Sequence, residues 1–355
     1  MPEVWLWLAL WNYMERKMRK VIIALLAIAL VVGCVASFFI LSQKIEEAYV
    51  EEIPETKWLY ARGDKIVSNK GREIQLKGIS THGIQWFGDL YNAESIKHLR
   101  DEMGINLFRI AMYTDANAKG YVANKALKEK VYELADAAIA LGMYVIIDWH
   151  ILGDNNPQTN KADALEFFAE VSEKYADEPL VIYEICNEPN GGVKWETDIK
   201  PYAEEVIAAI RKNSPESLII VGTPDYSKDF IEASQAPLDD ANVAYALHFY
   251  AGSHNKTLRD AADDFRKKGH VVFVSECGAT DASGAGQLYE GAFERWATWM
   301  KENKISWTYW AYANKDEASS MLKAGVVPDF AAEDYAGLDS YLSPSGALIK
   351  RMLAL

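Results

Sequence analysis

Residues 131–150 have the sequence VYELADAAIALGMYVIIDWH, which contains the two kinds of element from which most of the chain is built. Apolar residues at positions 131, 134, 135, 138 and 139 share one face of a helix, and Gly142 marks where that helix ends. An apolar run follows from position 144 and leads into Asp148 and His150. An amphipathic helix followed by an almost uniformly apolar strand is typical of a parallel sheet covered by helices.

The same pairing recurs along residues 58–355. Eight apolar runs begin 25 to 39 residues apart, which is the spacing of a strand, a helix and two loops. The runs cover residues 74–79, 105–112, 144–148, 180–186, 218–222, 243–248, 271–276 and 305–310. Eight such units predict an α/β fold, a closed (β/α)8 TIM barrel, with a doubly wound open sheet as the alternative. Ahead of the first run, residues 58–68 predict a small hairpin that packs against the barrel floor.

The first 57 residues have a different character. Residues 21–41 form a stretch of 21 residues without a charge, long enough to cross a bilayer as one helix. Four basic residues end the tail 1–20, and an acidic tether, 42–57, follows the stretch. This asymmetry places the tail in the cytosol and the rest outside the membrane. We therefore expect an uncleaved anchor at the extracellular face, with secretion after cleavage or lipidation of Cys34 as alternatives.

The composition excludes some classes of partner. The formal net charge is −14, and such an acidic chain repels phosphate backbones, which argues against nucleic acid but not against a neutral polysaccharide. The three cysteines, at positions 34, 186 and 277, are too few for a disulfide framework. No Cys/His spacing indicates a zinc site, and neither a metal nor another cofactor is implied.

Polar and aromatic side chains follow seven of the eight predicted strands at their C-terminal ends, where a barrel of this kind has its active site. They are His82, Arg109, Tyr113, Asp148, His150, Asn187, Glu188, His248, Tyr250, Glu276 and Trp310. Taken singly, each is more often a core or loop residue than a catalytic one. Their convergence on one barrel mouth is what favours a functional site.

Glu188 and Glu276 follow the fourth and seventh predicted strands and can face each other across the barrel mouth. Cleavage of a glycosidic bond needs one carboxylic acid to protonate the leaving oxygen and a second carboxylate at the sugar carbon. A separation of about 5 to 5.5 Å between the two carboxyl groups gives retention of configuration, and about 6.5 to 9.5 Å gives inversion. The pair therefore predicts a glycosidase.

The ordered motifs resemble those of glycoside hydrolase family 5, from about Trp58 to the C-terminus. The resemblance is carried by GISTHGIQWF (78–87), FRI (108–110), DWH (148–150), ICNEPNG (185–191), HFY (248–250), VSE (274–276), and Trp310 with Lys315 and Glu317 behind it. Asn-Glu-Pro alone also occurs in related families of the same clan, whereas the full ordered set is specific. The first and last motifs are similar to those of the bacterial endo-β-1,4-glucanases, which implies hydrolysis of internal bonds in cellulose and related β-glucans by double displacement.

The resemblance implies roles for the residues around the two glutamates. Glu188 would be the acid/base and Glu276 the nucleophile. Arg109 and Tyr250 would keep the nucleophile ionised. Asn187 would hydrogen-bond the 2-hydroxyl of the sugar, a contact that strengthens in the transition state.

The remaining site residues are implied to orient or bind the substrate. His150 and His248 would line the cleavage site and orient the carboxylates, and Trp310 would lie under the sugar at the cleavage point. Glucose units on the non-reducing side would be bound by His82, Trp86, Tyr113, Lys315 and Glu317. Tyr226 stands where relatives often have Trp on the leaving side, and its smaller ring predicts weaker binding there.

Three alternatives stay open at this point. A β-mannanase or xyloglucanase of the same fold would have the same catalytic residues. A metal-dependent barrel hydrolase would usually have a His-x-His pair after the first strand, whereas Thr81-His82-Gly83 supplies one histidine. A membrane-tethered carbohydrate receptor would bind without turnover. The favoured partners are β-1,4-glucan polysaccharide and cello-oligosaccharides, and we expect a monomer.

Overall fold

The computed structural model describes residues 56–355 and, ahead of them, Met18. Residues 56–355 form one compact unit in which eight parallel strands close into a barrel in chain order. The strands are the antiparallel hairpin β1 (Tyr60–Arg62) and β2 (Lys65–Val67), followed by the barrel strands β3 (Lys77–Thr81), β4 (Leu107–Tyr113), β5 (Tyr144–His150), β6 (Val181–Glu184), β7 (Ile219–Val221), β8 (Val243–Tyr250), β9 (Val271–Gly278) and β10 (Trp307–Tyr312). The predicted closed barrel is confirmed, and the open sheet is wrong.

Helices cover the outside of the barrel. They are α1 (Ile84–Phe87), α2 (Ala93–Met103), α3 (Leu127–Ala140), α4 (Lys161–Lys174), α5 (Lys200–Arg211), α6 (Ile231–Gln235), α7 (Lys256–Arg266), α8 (Glu290–Glu302) and α9 (Pro344–Leu353). Capping residues define the ends of two of these helices. Gly104 ends α2 in the left-handed conformation at φ 71°, and the Ser343 hydroxyl accepts the Gly346 N–H at the start of α9.

Apolar side chains pack on both surfaces of the barrel wall. Trp149 and Trp195 are fully buried in the larger core between strands and helices. A smaller cluster fills the N-terminal end of the barrel, where Leu59 and Ile66 of the hairpin meet Leu107 and other strand residues. Burial of such a side chain contributes about 1.5–3 kcal/mol. The expected packing of the hairpin against the barrel floor is confirmed.

Cys186 and Cys277 are both buried and unpaired in the wall of the barrel. Burial raises the pKa of both thiols. Each is therefore a small core side chain, as their position at the ends of apolar runs indicates.

The tail 1–20, the stretch 21–41 and nearly all of the tether 42–57 lie outside the described residues, apart from Met18 and the last two tether positions. Among the residues that the structure describes, no helix is both long enough and apolar enough to cross a membrane. The anchor thus stays a prediction.

Candidate active site

Glu188 and Glu276 lie together in a cleft at the C-terminal end of the barrel. Glu276 belongs to β9, and Glu188 follows the end of β6. One carboxylate oxygen of each glutamate and one ring nitrogen of His248 all lie within 4.8 Å of one another. The cleft has a volume of about 610 Å³. It is lined by all the predicted site residues except Arg109, Asp148 and Asn187, which are buried.

Both carboxylate oxygens of Glu276 accept a hydrogen bond. The Tyr250 hydroxyl donates to Oε1 at 2.7 Å, and Nη1 of Arg109 donates to Oε2 at 3.2 Å. Donors on both oxygens fix the orientation of the carboxylate. The side chain is only 6% exposed, so these contacts act with little screening by water.

Arg109 connects the nucleophile to two further carboxylates. Its Nε donates to Glu184 at 2.7 Å, and Nη2 lies 2.9 Å from an oxygen of Asp148. Burial opposes the guanidinium charge, but Asp148, Glu184 and Glu276 together raise the pKa of Arg109 above its ordinary value. Burial also opposes ionisation of Glu184, yet Arg109 lowers the pKa of that carboxyl to about 2. For Asp148 burial outweighs the attraction of Arg109 and raises the pKa.

His248 holds Glu188 from the other side of the cleft. Its Nδ1 lies 2.8 Å from Oε1 of Glu188, and its Nε2 lies 3.0 Å from the Ser275 hydroxyl, which donates to Glu184 at 2.7 Å. Burial lowers the pKa of His248, but the carboxylates of Glu184, 3.7 Å from Nε2, and of Glu188 outweigh it and bring the pKa to about 9. At neutral pH the ring is therefore cationic, and both nitrogens donate.

His150 orients Asn187 and not a glutamate. Its Nδ1 lies 2.6 Å from Asp148, and its Nε2 lies 3.3 Å from the side-chain nitrogen of Asn187. Burial, followed by the charge of Arg109, lowers the pKa of His150 to about 3. The neutral ring donates from Nδ1 to Asp148 and accepts from Asn187, whose oxygen accepts from Arg109 at 2.7 Å.

Aromatic rings form one side of the cleft. Trp86, 44% exposed, packs against Tyr113 with ring centroids 4.7 Å apart. Trp310 stacks on His150 at 5.2 Å, and His82 contacts Trp310 at 4.9 Å. Burial, followed by Lys315, lowers the pKa of His82 to about 3, so this ring is neutral. Such rings offer flat apolar faces for the C–H face of a sugar.

Lys315 and Glu317 form an ion pair at the same side of the cleft. The Lys315 ammonium lies 2.5 Å from Glu317, whose other oxygen accepts the Ser319 hydroxyl at 2.8 Å. The Lys315 side chain is half-exposed, whereas the Glu317 side chain is only 9% exposed. The pair thus presents a donor and an acceptor to a hydroxylated ligand.

Tyr226 lines the opposite side of the cleft, in a turn that the sequence did not predict. Asp225, Tyr226 and Ser227 have φ values of 55°, 60° and 56°, a left-handed conformation that non-glycine residues rarely adopt. The Tyr226 ring is 42% exposed, and the Lys228 ammonium lies 5.5 Å from its centroid. We call residues 225–227 the left-handed turn.

Sequence reasoning assigned no role to the residues that support the site. Glu184 and Ser275 were not singled out, and Asp148 was named at the end of its strand without a role. The available signal was a carboxylate inside an apolar strand, in VIYE (181–184) and YVIIDWH (144–150), because a buried charge needs a partner. Lys228 and His254 also line the cleft, but they lie in loops without such a signal.

Glu188, His248 and Glu276 are close enough together to hold a metal ion. Each already has partners in the protein. Glu188 pairs with His248, while Glu276 accepts from Arg109 and Tyr250. The donor set fits an ion-paired carboxylate pair better than a metal site, since a cationic His248 offers no lone pair to a metal.

Comparison with protein families gives a match over residues 67–316 to the model described as cellulase, glycosyl hydrolase family 5. Endoglucanase A of Evansella cellulosilytica is 49% identical over 287 residues, which are 80% of this chain and 57% of that protein. Endoglucanase N of Pectobacterium atrosepticum is 42% identical over 344 residues, 97% of this chain and 74% of that protein. The chain thus spans only 57% of the length of the first of these relatives.

Solved structures share the fold. Cellulase Cel5C_n superposes with a TM-score of 0.79 at 41% identity, covering 85% of this chain and 93% of that one. The catalytic domain of Thermobifida fusca endoglucanase Cel5A gives a TM-score of 0.77 at 34% identity, covering 84% and 97%. A variant of that domain was solved in complex with cellotetraose. The resemblance inferred from the motifs is confirmed.

Proposed function

This chain belongs to glycosyl hydrolase family 5, and on that basis we propose that it is an endo-β-1,4-glucanase that retains anomeric configuration. The observation that carries the proposal is the placement of Glu188 and Glu276, whose nearest carboxylate oxygens lie within 4.8 Å. Retaining glycosidases have carboxyl groups about 5–5.5 Å apart, too close to admit the water molecule that inversion requires.

The reaction begins with attack by Glu276 on the anomeric carbon. Tyr250 and Arg109 aim the nucleophile and keep it ionised, while Glu188 gives its proton to the leaving oxygen. A glycosyl ester on Glu276 results. Glu188, now a base, takes a proton from water, and the hydroxide attacks the same carbon to release the sugar with its original configuration.

The substrate we propose is a β-1,4-glucan chain that lies across the barrel mouth. Trp86 and Tyr113 offer apolar faces on the non-reducing side, and Lys315 with Glu317 offers a donor and an acceptor there. Trp310 is proposed to lie under the sugar at the cleavage point. Tyr226 is proposed as the platform on the leaving side. Asn187, held by Arg109 and His150, is proposed to bind the 2-hydroxyl of the sugar at the cleavage point.

The proposal is tested by product release from carboxymethylcellulose, mixed-linkage β-glucan and mannan, with Glu276→Ala as control. We expect soluble oligosaccharides from the two glucans and none from the control. Activity confined to mannan would leave the mechanism intact and replace the substrate. If a folded sample releases no product from any of the three polysaccharides, the result would instead favour a carbohydrate-binding protein without turnover.

We also propose that the enzyme acts as a monomer outside the cell, held by residues 21–41. The charge asymmetry around that stretch supports the orientation, and a polymeric substrate that cannot enter the cell supports the location. Protease added to intact cells should then remove the barrel domain while the chain fractionates with membranes. Full activity in the culture supernatant would point to cleavage of the segment.

A further inference from the structure

The peptide group that joins Asn187 to Glu188 is held at both of its polar atoms. The Glu188 N–H donates to the Ile151 carbonyl at 3.3 Å, and the Asn187 carbonyl accepts from the Ser227 hydroxyl at 2.6 Å. This peptide lies beyond the end of β6, so it needs partners other than the regular ladder of the sheet. Its plane determines the directions in which the Asn187 and Glu188 side chains leave the backbone.

The left-handed turn brings the Ser227 hydroxyl to that peptide. Three successive non-glycine residues at positive φ persist only where the surroundings over-determine them. Here the Tyr226 N–H donates to the Pro189 carbonyl at 3.0 Å, and the Ser227 N–H donates to the Thr223 carbonyl at 3.0 Å. The turn therefore contacts the chain on both sides of Glu188, at Asn187 and at Pro189. Ser227 is fully buried, so water does not compete for its hydroxyl.

We propose that Ser227 is a positioning residue for proton transfer to the leaving group. By fixing the Asn187 carbonyl, it sets the place of the Glu188 carboxyl relative to the glycosidic oxygen. Tyr226 belongs to the same turn and lines the leaving side of the cleft. Contact with the leaving sugar and placement of the proton donor thus depend on one backbone segment. The inference rests on the proposed function.

Two substrates separate this role from a general structural one. Cleavage of cellotetraose needs a proton on the departing sugar, whereas 2,4-dinitrophenolate leaves 2,4-dinitrophenyl β-cellobioside as a stable anion without one. Ser227→Ala removes the hydroxyl and keeps the unfavourable φ, while Ser227→Gly removes the hydroxyl and eases the φ. Asp225→Gly is the matched control, since it eases the same turn and leaves the hydrogen bond in place.

We expect both Ser227 variants to lower kcat/KM on cellotetraose roughly 10- to 100-fold, because small misplacements of a catalytic group have effects of this size. On the aryl cellobioside kcat/KM should stay within about twofold, since its glycosylation step needs no acid. Asp225→Gly should match the unaltered enzyme on both substrates. Equal loss on both substrates, or loss on neither, would overturn the role of Ser227. An unaltered chain that cleaves neither substrate overturns the proposed function itself, and with it this inference.

Discussion

Arg109 contacts three carboxylates at once, and one of them is the proposed nucleophile, Glu276. Glu184 and Glu276 share the guanidinium, while burial favours the protonated form of Asp148. Breaking a buried pair of this kind leaves an uncompensated charge and costs about 3–5 kcal/mol. Replacement of Arg109 would therefore destabilise the fold as well as the site, so Tyr250 gives a cleaner test of the nucleophile.

Tyr250→Phe removes one of the two hydrogen bonds to Glu276 and little else. A hydrogen bond to a charged group contributes about 1.5–3 kcal/mol, so kcat/KM should fall roughly 10- to 150-fold. Steady-state kinetics on cellotetraose measures the loss of rate, and a thermal melt measures the loss of stability that accompanies it. Tyr245→Phe is the control. Its hydroxyl accepts the Leu238 N–H away from the cleft, so it should lower stability but not the rate.

His150 makes stability depend on pH. In the unfolded chain its pKa is about 6.5, and in the folded protein about 3, so the unfolded chain takes up the proton first as the pH falls. The stabilisation is complete above about pH 6.5 and decreases as the pH falls towards 3, reaching a loss of roughly 2 kcal/mol at pH 5. The free energy of unfolding, measured with urea, should differ between pH 7 and pH 5. His150→Gln should reduce that difference by this amount. An unchanged difference would contradict the assignment.

At the scale of the element, the approach of β7 to the segment after β6 leaves no room for a side chain at Gly222. A Cβ there would lie 2.1 Å from the Cys186 carbonyl oxygen and 2.8 Å from a side-chain carbon of Pro189. Gly222→Ala should therefore displace the segment that carries Glu188. We expect about 1–3 kcal/mol of destabilisation, together with a loss of kcat on cellotetraose.

Gly88→Ala is the matched control for this substitution, because no atom lies within 4 Å of a Cβ at that position. Its stability and activity should stay near those of the unaltered protein. Chemical denaturation and steady-state rates on the two variants check the pair. Equal stability and equal rates for the two variants would show that a side chain at position 222 does not displace the segment after β6.

The elements of the barrel were predictable because each strand is an apolar run and each helix carries an apolar stripe. Glu276 and Trp310 could be placed at the mouth from the same pattern, since parallel strands all end at one rim. The left-handed turn was not predictable, because Asp225-Tyr226-Ser227 has no glycine to mark a positive φ. Its conformation is imposed by contacts with a distant part of the chain.

At the scale of the whole molecule, two further cavities of about 600 Å³ each are lined by residues that follow opposite strands of the barrel. One adjoins Trp86 after β3 and β4, and the other adjoins Lys228 and His254 after β7 and β8. In an eight-stranded ring these strand pairs face each other. A polymer bound across the mouth would therefore have room beyond the cleft on both sides, which the proposed cleavage at internal bonds requires.

The cavity that adjoins Lys228 and His254 lies on the proposed leaving side, and Ala261→Trp tests its role. Ala261 is exposed on α7 and lines this cavity. We expect kcat/KM on cellohexaose to fall by roughly tenfold, equivalent to about 1.4 kcal/mol of lost binding, and the rate on cellotetraose to stay unchanged. Lys267→Trp, just beyond the same helix and outside the cavity, is the control. Equal rates on cellohexaose for both variants would mean that the cavity does not take part.

The buried thiols of Cys186 and Cys277 can report local opening of the barrel wall. Cys186 precedes Asn187 and Cys277 follows Glu276, so both sulfur atoms are shielded by the same wall that carries the catalytic residues. A thiolate-directed reagent can reach either of them only when that wall separates. In a Cys34→Ser variant, the rate at which the native protein is alkylated would therefore measure how often the catalytic end of the barrel opens locally. No attached dye is needed.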